Sequence, residues 1–129
     1  MIIDDTEIDR FIAQRFLKKY FFAEEVIVQD SAESALDYLK KCEFNVAALP
    51  QFIFLDIRMP EMDGFGFLAE YEKLPSAIKS KCIIMMLSSS LSPDDHERVK
   101  NIRYVSGFIS KPLDAEKLNE VVHPSNCAA

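Results

Sequence analysis

The sequence predicts an α/β domain in which five parallel strands form one sheet with helices on both faces, a three-layer αβα sandwich. Three observations carry this. The apolar runs Phe52–Leu55 and Cys82–Leu87 lack alternation, as strands buried on both faces do. Between such runs lie segments with apolar residues at helical spacing. The two types alternate along the chain, and alternation means parallel strands joined by right-handed crossovers. At 129 residues the chain is long enough for one domain with a substantial core, expected over 1–123, with a frayed tail at 124–129.

Met1-Ile2-Ile3 is a short first strand ending at Asp4-Asp5. Thr6 can cap a helix, with Asp9 three residues on, and Ile8, Phe11, Ile12 and Phe16 form its expected core stripe up to about Tyr20. Val26–Val28 is the second strand. Ser31 caps the next helix, with stripe Ala32, Ala35, Leu36 and Leu39. Phe52–Asp56 is the third strand, closed by Pro60 and Asp63-Gly64. Phe67, Leu68, Tyr71 and Leu74 then continue at helical spacing to Pro75. Cys82–Leu87 is the fourth strand, running into Ser88-Ser89-Ser90. Ser92-Pro93-Asp94-Asp95 starts a helix by cap, proline and acidic first turn. Gly107–Ile109 is the fifth strand, ending at Ser110-Lys111-Pro112. Asp114 caps a last short helix carrying Ala115, Leu118, Val121 and Val122.

Composition narrows the function. A net charge of −6 argues against a broad basic surface for nucleic acid. No apolar run approaches the roughly 20 residues that span a membrane. No signal peptide is visible ahead of Asp4, and no linker leads to a second domain. Cys42, Cys82 and Cys127 are odd in number without CxxC spacing, so neither a disulfide framework nor a zinc site is indicated. A reducing, cytoplasmic setting is expected.

A doubly wound five-stranded sheet of this kind has the order 2-1-3-4-5, with ligands at the carboxyl ends of the strands near the switch point between strands 1 and 3. In that order Asp4-Asp5, Asp56, Ser88 and Lys111 fall on one edge. Each alone has a plainer role, as a turn acid, a cap or a loop residue. Three carboxylates in one cleft repel, however, and need a cation among them. All-oxygen ligation suits Mg²⁺ or Mn²⁺. A carboxylate nucleophile, a divalent cation, a lysine and a hydroxyl donor are what phosphoryl transfer requires. With no GxxxxGK loop and only three glycines, the chain is not expected to bind nucleotide, so the phosphoryl group must arrive already activated.

The combination of Asp4-Asp5, Asp56 before Arg58-Met59-Pro60 and Met62-Asp63-Gly64, Ser88, and Phe108 with Lys111-Pro112 resembles the receiver domain of two-component response regulators, of the single-domain chemotaxis type, with its flavodoxin-like fold. The resemblance implies that Asp56 accepts a phosphoryl group from a phosphohistidine. It implies that Asp5, Asp56 and the Arg58 main-chain carbonyl bind Mg²⁺, with Asp4 acting through water. Ser88 and Lys111 would contact phosphoryl oxygens, and Phe108 would be the aromatic switch residue acting with Ser88. A sensor histidine kinase or histidine phosphotransfer protein would be the donor. Output would pass through a downstream protein or self-association, without direct nucleic-acid or membrane binding. The chain would catalyse only its own phosphorylation and slow dephosphorylation. Departures from the family pattern are the short first strand, the short last helix and Ser88 where Thr is frequent.

Three other readings compete for this chain. A pseudo-receiver would use the fold only for docking, against which the intact acid set and Lys111 argue. An aspartate-nucleophile phosphatase places a second Asp two residues after the first, where this chain has Arg58. An FMN carrier of the same topology would need a phosphate loop after strand 1, and none is present.

Overall fold

The computed structural model describes residues 1–20, 23–88, 92–111 and 113–122. Its strands are β1 (Ile2–Ile3), β2 (Val28–Gln29), β3 (Phe52–Asp56), β4 (Ile83–Ser88) and β5 (Val105–Ser110). Its helices are α1 (Glu7–Lys19), α2 (Ala32–Lys41), α3 (Gly64–Tyr71), α4 (Ser76–Lys79), α5 (Pro93–Lys100) and α6 (Ala115–Val122), with a 3₁₀ turn at Val46–Ala48. The strands form one parallel sheet in the order β2-β1-β3-β4-β5, as expected.

The sheet's centre explains the unalternating runs. Ile53, Phe54 and Leu55 of β3 and Ile84, Met86 and Leu87 of β4 are buried whichever way they point. One cluster joins Ile53, Leu55, Ile84 and Met86 to α2 and α3. The other joins Phe54, Met85, Leu87 and Ile109 to Ala13 and Leu17 of α1. Each such side chain contributes about 1.5–3 kcal/mol relative to exposure. β1 has only two residues, yet Ile2 and Ile3 are fully buried and paired on both sides.

Several local expectations are met atom for atom. Ser31 Oγ accepts the Ser34 N–H, and Ala32, Ala35, Leu36 and Leu39 are buried. Ser92 Oγ accepts the Asp95 N–H, with Pro93 at the first helical position. Asp63, expected only to close the loop after β3, also caps α3, its Oδ1 accepting the Gly66 N–H. Asp114 Oδ1 accepts the Lys117 N–H ahead of α6.

Others are corrected. The stripe expected on α1 holds only in part: Phe16 packs half-buried against the core, but Ile8 and Phe11 are 64% and 56% exposed, and Ala13 and Leu17 are the buried residues. A small alanine lets the helix approach the sheet, and the face thereby selected carries Asp9 rather than Ile8 toward the strand ends. Thr6 makes no side-chain cap, and its N–H donates to Asp4 Oδ1 (3.0 Å) rather than to Asp9. β2 pairs through Val28-Gln29 rather than Val26–Val28. β5 is longer than expected, with an irregularity opposite Ile84/Met85 that lets the strand begin at Val105. α4 was not anticipated, since Pro75 reads as a stop but here precedes a new helical turn. Expectations that fall on Ser89, Ser90, Pro112, the Leu118, Val121 and Val122 side chains, and the tail 124–129 lie outside the described residues.

Candidate functional site

The register assembles the site. Ile3 pairs with Leu55, so Asp4 and Asp56 follow side by side one residue on. Asp56 pairs with Leu87, and Ser88 is the next residue of β4. Ser88 pairs with Ser110, and its carbonyl accepts the Lys111 N–H at 2.8 Å. Asp4, Asp56, Ser88 and Lys111 are therefore delivered to one sheet edge by backbone pairing alone.

The side chains then converge. Carboxylate oxygens of Asp4, Asp5 and Asp56 all lie within 4.8 Å of one another. Asp4 and Asp56 are 1% and 4% exposed, whereas Asp5 faces solvent. Lys111 Nζ is 2.8 Å from Asp4 Oδ2, 3.0 Å from Asp9 Oδ2 and 3.4 Å from Asp56 Oδ1. Asp4 is fixed further by the Thr6 N–H on Oδ1 and by Arg10 Nη1, which donates to its carbonyl at 2.9 Å. The Arg58 N–H approaches Asp56 Oδ1 at 3.4 Å, an Asx-type contact that starts the β3–α3 loop.

Gly64 keeps this loop tight. Its N–H donates to the Ile57 carbonyl at 2.9 Å. A Cβ there would lie 2.7 Å from the Asp56 carbonyl oxygen and 3.0 Å from Ile57 Cα, so the start of α3 can lie against the end of β3 only without a side chain.

The electrostatics follow from this crowding. Burial, then the charge of Asp4, pushes the Asp56 carboxyl up to about 6, although Lys111 and the Arg58 N–H pull the other way. Burial draws the Lys111 ammonium down, but hydrogen bonds to Asp4 and Asp9 and the charges of Asp4 and Asp56 outweigh it, so Lys111 is held above its ordinary value. Asp56 is thus a carboxylate whose negative charge the protein leaves undercompensated, and an added cation would be welcome. The donor set is all carboxylate oxygen, which fits Mg²⁺ or Mn²⁺ and does not fit softer metals.

Asp9 was missed as a member of this group. It stands in the first turn of α1, just after the Asp4-Asp5 pair, and that nearness was the signal available in the sequence. Phe108 stands apart from the acids. It is 40% exposed and meets His96 of α5 edge-on, ring centroids 4.6 Å apart. Arg58 sends its guanidinium to Asp95 of α5.

A 2-1-3-4-5 sheet with acids at the carboxyl ends of β1 and β3 and a lysine just past β5 has the layout of a receiver-type signalling domain. The chain belongs to the response regulator receiver domain family, which it matches over residues 1–123. It is 30% identical to a two-component response regulator of Oryza sativa subsp. japonica, over 99% of this chain and 54% of that protein. It is 26% identical to a probable methanogenesis regulatory protein of Methanothrix harundinacea, over 95% of this chain and 77% of that protein. The chain thus spans about half of the rice relative. Among solved structures, a response regulator receiver protein from Dyadobacter fermentans superposes with a TM-score of 0.84 at 30% identity, covering 94% of this chain and 91% of that one. A two-component response regulator from Cytophaga hutchinsonii gives 0.86 at 29% identity, covering 94% and 90%. Among the described residues, no helix is long and apolar enough to cross a membrane.

Proposed function

We propose that this receiver domain accepts a phosphoryl group on Asp56 from a phosphohistidine, in a Mg²⁺-dependent reaction, and thereby switches a protein-interaction face. The observation that carries the reading is the approach of Asp4, Asp5 and Asp56 to within 4.8 Å, with Lys111 Nζ 3.4 Å from Asp56. In the transfer, an Asp56 carboxylate oxygen forms the O–P bond while the histidine N–P bond breaks. The electron pair returns to the imidazole, which takes up a proton.

Asp5, Asp56 and the Arg58 carbonyl would hold the cation, with Asp4 bonded to it through water. When bound, it supplies positive charge against phosphoryl oxygens. Lys111 is held charged, so it can bind a second phosphoryl oxygen without proton transfer. Ser88, buried at the end of β4, would donate its hydroxyl to a third. The donor would be a sensor histidine kinase or a histidine phosphotransfer protein, and the domain would act in the cytoplasm without turning over an external substrate. A relative carrying the name sensor histidine kinase, from Helicobacter pylori, matches this chain at 30% identity over only 14% of its length. That likeness is compatible with receivers and kinases sharing one signalling route.

The test is intact-mass analysis after incubation with phosphoramidate and Mg²⁺. Wild type should gain one phosphoryl group that hydroxylamine removes, as from an acyl phosphate, and Asp56→Asn none. Addition to the mutant at the wild-type rate would remove Asp56 as acceptor. Failure of wild type to react under any phosphodonor would favour a docking module instead.

A further inference from the structure

The proposed cation site takes the carbonyl of Arg58 and leaves its side chain without a role. That side chain crosses to α5, where Nη2 meets Asp95 Oδ2 at 2.5 Å. Asp95 is buried, whereas the arginine side chain is 66% exposed and has solvent rather than packed neighbours on its outer side. The Arg58 N–H approaches Asp56 Oδ1, so the arm begins beside the acceptor. Lys111, meanwhile, is already divided among Asp4, Asp9 and Asp56. A phosphoryl group on Asp56 would add negative charge that this shared ammonium does not meet. A guanidinium matches a phosphoryl group through two parallel hydrogen bonds. Asp95 can release its partner at reduced cost, because it lies in the first turn of α5, where the helix's positive end favours a carboxylate.

We propose that the Arg58 side chain is a second phosphoryl-binding cation, held in reserve by Asp95 until Asp56 carries the group. The proposal rests on the phospho-acceptor reading of Asp56. The exchange also loosens one tie between the β3–α3 loop and α5. Arg98 of α5, stacked 3.8 Å above the Phe65 ring of α3, remains as a pivot.

Beryllofluoride, a phosphoryl mimic, is titrated with Mg²⁺ into the chain and into Arg58→Gln, Arg58→Lys, Asp95→Asn and the Arg58→Gln/Asp95→Asn double variant. Arg58→Gln should weaken binding about tenfold, as loss of a charge-assisted hydrogen bond does. Arg58→Lys should restore part of it. Asp95→Asn should tighten binding, but only where Arg58 is present. In wild type, the Arg58 side-chain N–H resonance should shift on saturation, a readout that needs no variant to fold. An unmoved resonance, or an Asp95→Asn effect that is absent or independent of Arg58, overturns the proposal. If wild type binds no beryllofluoride at all, the acceptor reading itself fails, and this proposal with it.

Discussion

Lys111 Nζ lies 3.4 Å from Asp56 Oδ1 and 2.8 Å from Asp4 Oδ2, so one ammonium is shared by two buried carboxylates. It does not fully offset them, since the Asp56 carboxyl still rises to about 6. The consequence for stability has a definite sign. Below about pH 4 Asp56 is protonated in both folded and unfolded chains, and its burial carries no charge penalty. Between pH 4 and 6 the unfolded chain loses this proton while the folded chain keeps it, so stability falls as pH rises. Above about pH 6 the penalty is complete, on the order of 2–3 kcal/mol. We predict that Asp56→Asn, in EDTA, gains that much on wild type between pH 4 and 7, read from urea unfolding. A difference that stays flat with pH would refute it.

The residues behind this site were unevenly legible. Phe52–Asp56 was read to the residue, because a strand buried on both faces needs an unbroken apolar run and the first carboxylate marks its end. The sheet order followed from alternation, and the register then delivered Asp4 beside Asp56. α1 was misread in part because two of its large apolar residues, Ile8 and Phe11, face solvent while the small Ala13 is buried. Periodicity weighs side chains by size and cannot see that a close approach favours the small one. Asp9 was lost with that misreading, since it was given a capping role and instead binds Lys111. The Arg58–Asp95 pair spans 37 positions, and no local pattern announces a contact of that kind.

A divalent cation should reverse the Asp56 penalty. A bound ion needs the carboxylate deprotonated, so we predict that Mg²⁺ raises the urea midpoint clearly at pH 7.5 and much less at pH 5. Asp5→Ala, which removes the exposed member of the trio, should cut the pH 7.5 increment by more than half. An equal increment at both pH values would show that Mg²⁺ acts elsewhere.

Gly64 and Gly107 provide a paired comparison. The added methyl of Gly64→Ala would meet backbone at 2.7 and 3.0 Å, and neither atom can turn aside. A loss of about 1–3 kcal/mol is expected, with slower phosphorylation because the Asp56 carbonyl must shift. At Gly107 the nearest atom is Met85 Cε at 3.4 Å, the mobile end of a flexible side chain. Gly107→Ala should be neutral or stabilise by up to about 1 kcal/mol, since alanine restricts the unfolded chain. Thermal melts of both variants check the order, and similar losses at the two sites would contradict it.

We predict that the signal leaves the site through Ser88 and Phe108. Ser88 ends β4, and its neighbour in the pairing is Ser110, two residues beyond Phe108 on β5. Phe108 points outward, with its ring edge-on to His96 of α5 at an interplanar angle of 80°. A phosphoryl group on Asp56 presents a strong acceptor, which a Ser88 hydroxyl can meet by moving toward it. That movement opens room beside β5. Phe108 carries no polar tip, so it can turn inward without burying an unsatisfied group. In turning, it leaves His96, and the surface formed by α5, β5 and α6 changes shape. Coupling of this kind is typically about 1–3 kcal/mol, and it requires the inward state to be sampled before phosphorylation. We predict that beryllofluoride with Mg²⁺ shifts the NMR resonances of Phe108 and His96 in wild type. In Ser88→Ala the acceptor should still bind the mimic, seen at Asp56 and its neighbours, while the shifts at Phe108 and His96 shrink. His96→Ala, which removes the outward contact, should displace the ligand-free Phe108 resonances toward their activated positions. Equal shifts at Phe108 in wild type and Ser88→Ala would break the link from Asp56 through Ser88.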